Sequence, residues 1–360
     1  MWSKNEVAEK LHRIRKLMVM RGLEYLVLST QTDLMWLTGG RGYVNQAAEK
    51  ACADIVVGHD AAYLVTNNIE ADRLLTEEMP GLNFKPLVYY WWDGAGRERC
   101  LAELTGKART ASERDLGLEF SCLRWTLTPE EQERYREVGR RVGSILGEVA
   151  MSVIPGDSEE KIASRIRQRC EEQELSPWVT LVAADERVYH YRHPLPTGRR
   201  LEKHALLVLT AQQYGLYAAA SRLVHFGPVP ADLRRRHRAV VAVDTALMAA
   251  TVPEARVADI FHAGMEAYKE QGFPDEWQRH HQGGLIGYLG REYRGTPDSP
   301  FTVGESQAFA WNPSIAGTKS EDTLLIAAGG AVLLTESPGF PCLTMEKDGK
   351  IWKRPDILQR

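Results

Sequence analysis

Apolar residues recur at helical spacing over residues 5–22, through Val7, Leu11, Ile14, Leu17 and Met18, and the pattern stops before Gly22. Steps of three and four place those side chains on one helix face, and a glycine just past the last of them suits a left-handed cap. Leu23-Glu24-Tyr25-Leu26-Val27-Leu28-Ser29 then reads as a strand. Two further apolar runs, residues 53–58 and 61–66, read as paired strands joined by a Gly58-His59-Asp60 turn. Residues 68–78 read as helix. This alternation predicts an α/β domain from residue 1 to about 122.

A stronger helix start follows. Thr128-Pro129-Glu130-Glu131 offers an N-cap, a proline at the first helical position and early acids. The pattern behind it predicts a long helix to about Val153, broken at Ile154-Pro155-Gly156, and a second helix from Ser158 through Cys170. Strands are expected at 178–183, 205–210 and 214–219, helices at 233–250 and 257–271, and strand-like segments at 307–311, 323–326 and 331–335. The second domain then runs from residue 123 to 360.

Length supports two domains: 360 residues exceed one typical domain. Composition, 44% hydrophobic and 26% charged, places the chain among globular proteins. A net charge of −3 points to neither nucleic acid nor an anionic membrane as partner. The basic runs Arg199-Arg200 and Arg234-Arg235-Arg236 read as solvated surface. The five cysteines, at 52, 100, 122, 170 and 342, are odd in number and form no CxxC pair, which fits a reducing compartment better than a disulfide framework. The first ten residues hold no apolar targeting segment, and no uncharged run is long enough to span a membrane. The expected location is the cytoplasm.

The residues able to do chemistry collect late in the chain: His193 ahead of Pro196-Thr197-Gly198-Arg199, Ser221-Arg222, His280-His281-Gln282-Gly283-Gly284-Leu285, Trp311-Asn312-Pro313, and Lys319-Ser320-Glu321-Asp322-Thr323. In this order they resemble the site segments of the creatinase/aminopeptidase P/prolidase family. Asp33-Leu34-Met35-Trp36-Leu37-Thr38-Gly39 and Leu123-Arg124-Trp125 resemble further segments of the same family, so the resemblance covers nearly the whole chain. It implies an α/β (α+β) architecture, with a creatinase-like N-terminal α/β domain followed by a pita-bread domain, and a homodimer with one chain's N-terminal domain near the other's pocket.

The resemblance also implies a departure. The family holds two metal ions with Asp, Asp, His, Glu and Glu. In this sequence the two Asp positions fall on Thr210 and Ala219, the first Glu on Asn312 and the family's second His on Tyr288, while His281 and Glu321 are retained. No Asp or Glu occurs anywhere from Lys203 to Pro230. Two divalent ions against Glu321 alone would leave roughly three positive charges uncompensated, each costing on the order of several kcal/mol when buried. A dinuclear Xaa-Pro peptidase is therefore not expected, and no cofactor is.

Three readings remain. The first is a hydrolase or lyase acting without metal at a C–N bond of a small nitrogen-containing substrate. His193 serves as general acid or base, as the creatinase branch implies, and His281 and Glu321 share the catalytic pocket. Glu321 and Asn312 bind substrate, Arg222 holds a carboxylate, and His225 and Tyr288 lie at the site. The second is a mononuclear enzyme with one metal on His193, His281 and Glu321, a ligand set suited to iron or zinc. The third is a non-catalytic domain that binds peptide or protein. The expected ligand in the enzymatic readings is a small molecule or short peptide. His280 reads as a structural neighbour, His190 as a loop residue, and Trp178, Trp277 and Trp311 as packing.

Overall fold

The computed structural model describes residues 2–360. The chain separates into two compact units, Met1–Thr126 and Leu127–Arg360. Among the described residues no helix is long and apolar enough to cross a membrane, and all five cysteines are free thiols.

The first unit is a five-stranded mixed sheet of order β4-β3-β2-β1-β5. Its strands are β1 (Tyr25–Thr30), β2 (Lys50–Gly58), β3 (Ala62–Asn67), β4 (Phe84–Tyr89) and β5 (Thr110–Ser112). The opening helix, Lys4–Arg21, is capped by the Ser3 side chain and ends at Gly22 with φ 62°, and it buries Val7, Ile14, Leu17 and Met18. Thr30 caps a second helix, Gln31–Thr38. The helix expected over 68–78 starts late, as Ala71–Arg73 followed by a wider π-turn at Leu74–Glu78. The Asn67 side chain accepts from the backbone of Ile69 and Glu70 and holds an Asx turn where the helix would begin. Residues 123–126 fold with this unit: Arg13 donates to Leu123 O and Thr126 O, and Arg124 pairs with Asp33 in the interior.

The second unit is built on two sheets. One has the order β18-β8-β7-β6, from β6 (Ser176–Ala184), β7 (His204–Gln213), β8 (Leu216–His225) and β18 (Ile357–Gln359). The other has the order β10-β9-β11-β14-β15, from β9 (Gly283–Ile286), β10 (Tyr293–Arg294), β11 (Gln307–Trp311), β14 (Asp322–Ala327) and β15 (Gly330–Leu333). Two short hairpins complete it, β12 (Ser314–Ile315) with β13 (Thr318–Lys319), and β16 (Cys342–Lys347) with β17 (Lys350–Pro355).

The long helix Pro129–Ser152 begins with a complete capping box between Thr128 and Glu131. It packs on β7 and β8, while the helix Glu159–Glu172 packs on β6. The helices Ala231–Ala250 and Val257–Glu270 pack together. A Cβ at Gly143 would stand 2.3 Å from Glu336 O, so only glycine lets the long helix approach the chain after β15 so closely.

The hairpin β7–β8 runs further than the apolar pattern predicts, with Thr210 opposite Ala219 and His204 opposite His225. Strands β16 to β18 have no counterpart among the expected elements. β18 adds to β8 in parallel, a pairing made by residues far apart in sequence.

Two contacts tie the sheets of this unit together. Ser221 N donates to Glu321 O at 3.0 Å. Thr323 Oγ1 accepts from Ala219 N at 2.8 Å and donates to Ala219 O at 3.0 Å. They fix Glu321 over Ser221.

Candidate functional site

Three imidazoles meet in the second unit. His193 lies in the loop before β7, and His280 and His281 lie just ahead of β9. His193 Nε2 and His280 Nε2 are 3.0 Å apart. One ligand atom from each of the three rings lies within 4.8 Å of the others. An ion pair between Arg192 and Glu276 ties the two loops together next to the rings. Glycine sets the position of His281: a Cβ at Gly283, where φ is 99°, would stand 2.1 Å from Ala310 O, so the strand after the histidines lies tight against β11.

The rings are held uncharged. Burial, with Lys319 and the neighbouring imidazoles, pushes His280 down to about 2. Burial and the cations Arg291, Arg294 and Lys319 hold His281 at about 4. His193, largely exposed, is lowered by burial and by Lys319. Nδ1 of His280 and Nδ1 of His281 are buried without a hydrogen-bond partner.

Glu321 enters this group already paired. Its Oε2 lies 2.8 Å from Lys319 Nζ and accepts from Ser221 Oγ at 2.6 Å. Its Oε1 lies 3.4 Å from a terminal nitrogen of Arg291. Burial pushes the carboxyl up, but Lys319, Arg291 and the Ser221 hydroxyl outweigh it and hold the group at about 2. Asn312 joins the group at its edge, with its backbone N–H on Gln282 O at 2.9 Å and its Oδ1 buried and unpaired.

Three of the expected site residues point elsewhere. Arg222 is fully buried, and its guanidinium donates to Ser221 O, Thr335 O, Ser337 Oγ and Asp322. Strand alternation accounts for this: Ser221 faces Glu321, so Arg222 must face the opposite side. There Asp322 also pairs with Arg354, which pairs in turn with Asp244. Tyr288 turns its hydroxyl onto Glu131 at 2.6 Å, at the start of the long helix. His225 stands at the open end of the β7–β8 hairpin beside His204, with Nδ1 3.2 Å from Gly227 O. Thr210 and Ala219 face each other on that hairpin, where Ala219 supplies only backbone groups. Trp311 packs inside with its N–H on Thr251, whereas Trp178 is exposed. His190 ends a short exposed helix.

Four residues around the imidazoles have no site role in the sequence reading: His280, Lys319, Arg291 and Arg294. His280 stands next to the expected ligand histidine, and only the approach of the His193 loop gives it a partner. Arg291 follows Tyr288 by three residues, yet it is Arg291 that reaches Glu321.

Residues 133–329 match metallopeptidase family M24. Solved structures agree in fold. A Xaa-Pro dipeptidase from Bacillus anthracis superposes with a TM-score of 0.76 at 14% identity, over 98% of this chain and 100% of that one. A prolidase from Pyrococcus horikoshii OT3 gives 0.75 at 15% identity over 91% and 98%. The N-terminal domain of the FACT complex subunit SPT16 from Cicer arietinum gives 0.69 at 10% identity over 93% and 97%. No curated protein sequence matches the chain. At these identities the structures show the shared pita-bread fold, and the family match, which spans more than half of the residues, makes the chain a member of metallopeptidase family M24.

Proposed function

We propose that the second unit is a hydrolase or lyase that acts at a C–N bond of a small substrate through imidazole acid–base chemistry, without the pair of metal ions its family implies. The observation that carries this reading is the direct contact of His193 with His280 beside a glutamate already neutralised by Lys319. Two divalent ions do not suit these residues. Thr210 offers a hydroxyl, Ala219 no side-chain donor and Asn312 an amide, and a metal at Glu321 would have to displace Lys319 and Arg291.

The imidazole pair can move a proton. Either ring can donate across the 3.0 Å contact, and with His193 as the donor from Nε2 its Nδ1 keeps a free lone pair on the solvent side. That Nδ1 can take a proton from an attacking water and, as the imidazolium, return it to the leaving nitrogen. Glu321 holds Lys319 and Arg291 in place instead of binding a substrate cation. Arg222, whose donors are all engaged, has no part in the reading.

The test is a screen of small amides, ureas and amidines with chelator-treated protein, repeated with His193→Ala. Turnover that survives chelation and is lost in the variant supports the proposal. Turnover that appears only with added Mn²⁺ or Co²⁺ refutes it.

One observation favours a mononuclear alternative: three neutral imidazoles whose ligand atoms lie within 4.8 Å. A single ion would then sit on His193, His280 and His281, with His280 in the place expected for Glu321. The surrounding cations oppose it. A non-catalytic binding role has only the likeness to the SPT16 domain behind it, and the fold alone does not favour it.

A further inference from the structure

The first unit holds a cavity of about 390 Å³ lined by the opening helix, the turn between β2 and β3 and the chain entering β4. Small-molecule sites typically enclose roughly 300–1,000 Å³. Small residues leave the hollow: Ala8 on the helix, Ala61 and Ala62 where β3 begins, and Gly81 ahead of β4 supply too little side chain to fill it. Val7 and Phe84, both buried, and the half-buried Leu11 and Leu82 give it an apolar floor. All of its lining residues belong to the first unit, and none has a part in the imidazole pocket.

Three cations line the same cavity, Lys4, Arg15 and Lys85, against one carboxylate, Asp60. None of the four forms an ion pair among the described residues. Arg15 is anchored through Nε on Gly58 O at 3.0 Å, which leaves its terminal nitrogens to face a ligand. The Lys85 ammonium is held 5.6 Å from the Tyr63 ring. An anion that enters therefore meets more unpaired positive charge than negative, and a cation meets the reverse. A bare anion would leave Val7, Leu11, Leu82 and Phe84 facing water, and salt screens its attraction to exposed lysines. An uncharged apolar molecule would leave the three cations without a partner. The lining suits a molecule that carries both features.

We propose that this cavity binds a small organic anion, a carboxylate on an apolar body, with the body on Val7, Leu11, Leu82 and Phe84 and the carboxylate among Lys4, Arg15 and Lys85. The site is separate from the imidazole pocket and stands whatever reaction the second unit catalyses.

The test is calorimetric titration of the full chain at fixed ionic strength with three compounds. Cinnamate joins an apolar body to a carboxylate, cinnamyl alcohol keeps the body without the charge, and acetate keeps the charge without the body. The expected result is one site for cinnamate, with the other two compounds bound at least tenfold more weakly. The double variant Lys4→Gln, Lys85→Gln should bind cinnamate at least tenfold more weakly than the unaltered chain. Asp60→Asn, which removes the opposing carboxylate, should bind it more tightly. All three side chains are exposed, so the variants keep the fold, and circular dichroism checks this. Cinnamyl alcohol bound as tightly as cinnamate overturns the proposal, because the cations then do nothing. Acetate bound as tightly as cinnamate overturns it as well, because the apolar floor then does nothing. Cinnamate affinity unchanged in both variants places the compound elsewhere on the chain and overturns it too, as does the absence of any cinnamate binding.

Discussion

Lys319 Nζ and Glu321 Oε2 stand 2.8 Å apart with both side chains almost withdrawn from solvent. Breaking a buried pair by removing one partner strands the other charge, a loss of about 3–5 kcal/mol. Lys319→Met and Glu321→Gln should each destabilise the second unit on that scale. The double variant should lose less than the sum, because Lys319 is no longer stranded, although Arg291 still loses its carboxylate. Urea denaturation of the four proteins checks this, and additive losses would show that the two groups do not act as a pair.

His193→Ala and His280→Ala should each lower turnover of a substrate found by screening by roughly 10²–10⁴-fold, the usual contribution of a general acid or base and its partner. Tyr288→Phe should leave turnover nearly unchanged and reduce stability by about 1 kcal/mol, because its hydroxyl serves Glu131 and not the imidazoles. Steady-state kinetics of the three variants separates these roles.

Arg222→Met should destabilise without altering ligand affinity in protein that remains folded. The guanidinium holds Asp322 and the carbonyl of Thr335 in the interior, and its loss leaves Asp322 with Arg354 alone for a charged partner. A drop of about 3 kcal/mol or more is expected. Weakened ligand binding at unchanged stability would restore the carboxylate-holding role that its position in the chain suggests.

Acid should weaken the second unit. Burial holds His237 at about 4, between Thr318 Oγ1 and Pro355 O. An unfolded histidine titrates near ~6.5. Its contribution to stability is therefore full above ~6.5 and falls as pH drops toward 4, because the unfolded chain takes up a proton that the folded one refuses. The slope approaches about 1.4 kcal/mol per pH unit in that window. Burial lowers His204 as well, with the same sign. Denaturation midpoints at pH 7.5, 6 and 5 should fall in order, and less steeply in His237→Asn.

Much of the scaffold could be read from local patterns. Thr128-Pro129 and Ser158 mark two helix starts because capping chemistry is local, and both residues cap in the structure. The family followed from motifs in order along the chain. The site was less readable. The motif order places Arg222 in the pocket, but strand alternation along Ala219-Ala220-Ser221-Arg222 sends it the other way once Ser221 faces Glu321. Lys319 ends the two-residue strand β13, two residues before Glu321, and so short a strand shows no periodicity to tell which way it points. His280 and Arg291 gain their roles from loops that meet only after folding, and β18 joins β8 across more than a hundred residues of chain. Local patterns carry no record of such meetings.

The central claim is that protein cations have taken the place of metal ions around Glu321. Metal content measures it most directly. The chain is equilibrated with excess Mn²⁺ or Zn²⁺, freed of unbound ion by gel filtration and assayed by inductively coupled plasma mass spectrometry. The account predicts no stoichiometric pair of ions, and no gain of cleavage on Xaa-Pro dipeptides. Two equivalents of metal per chain, with metal-dependent cleavage, would contradict it.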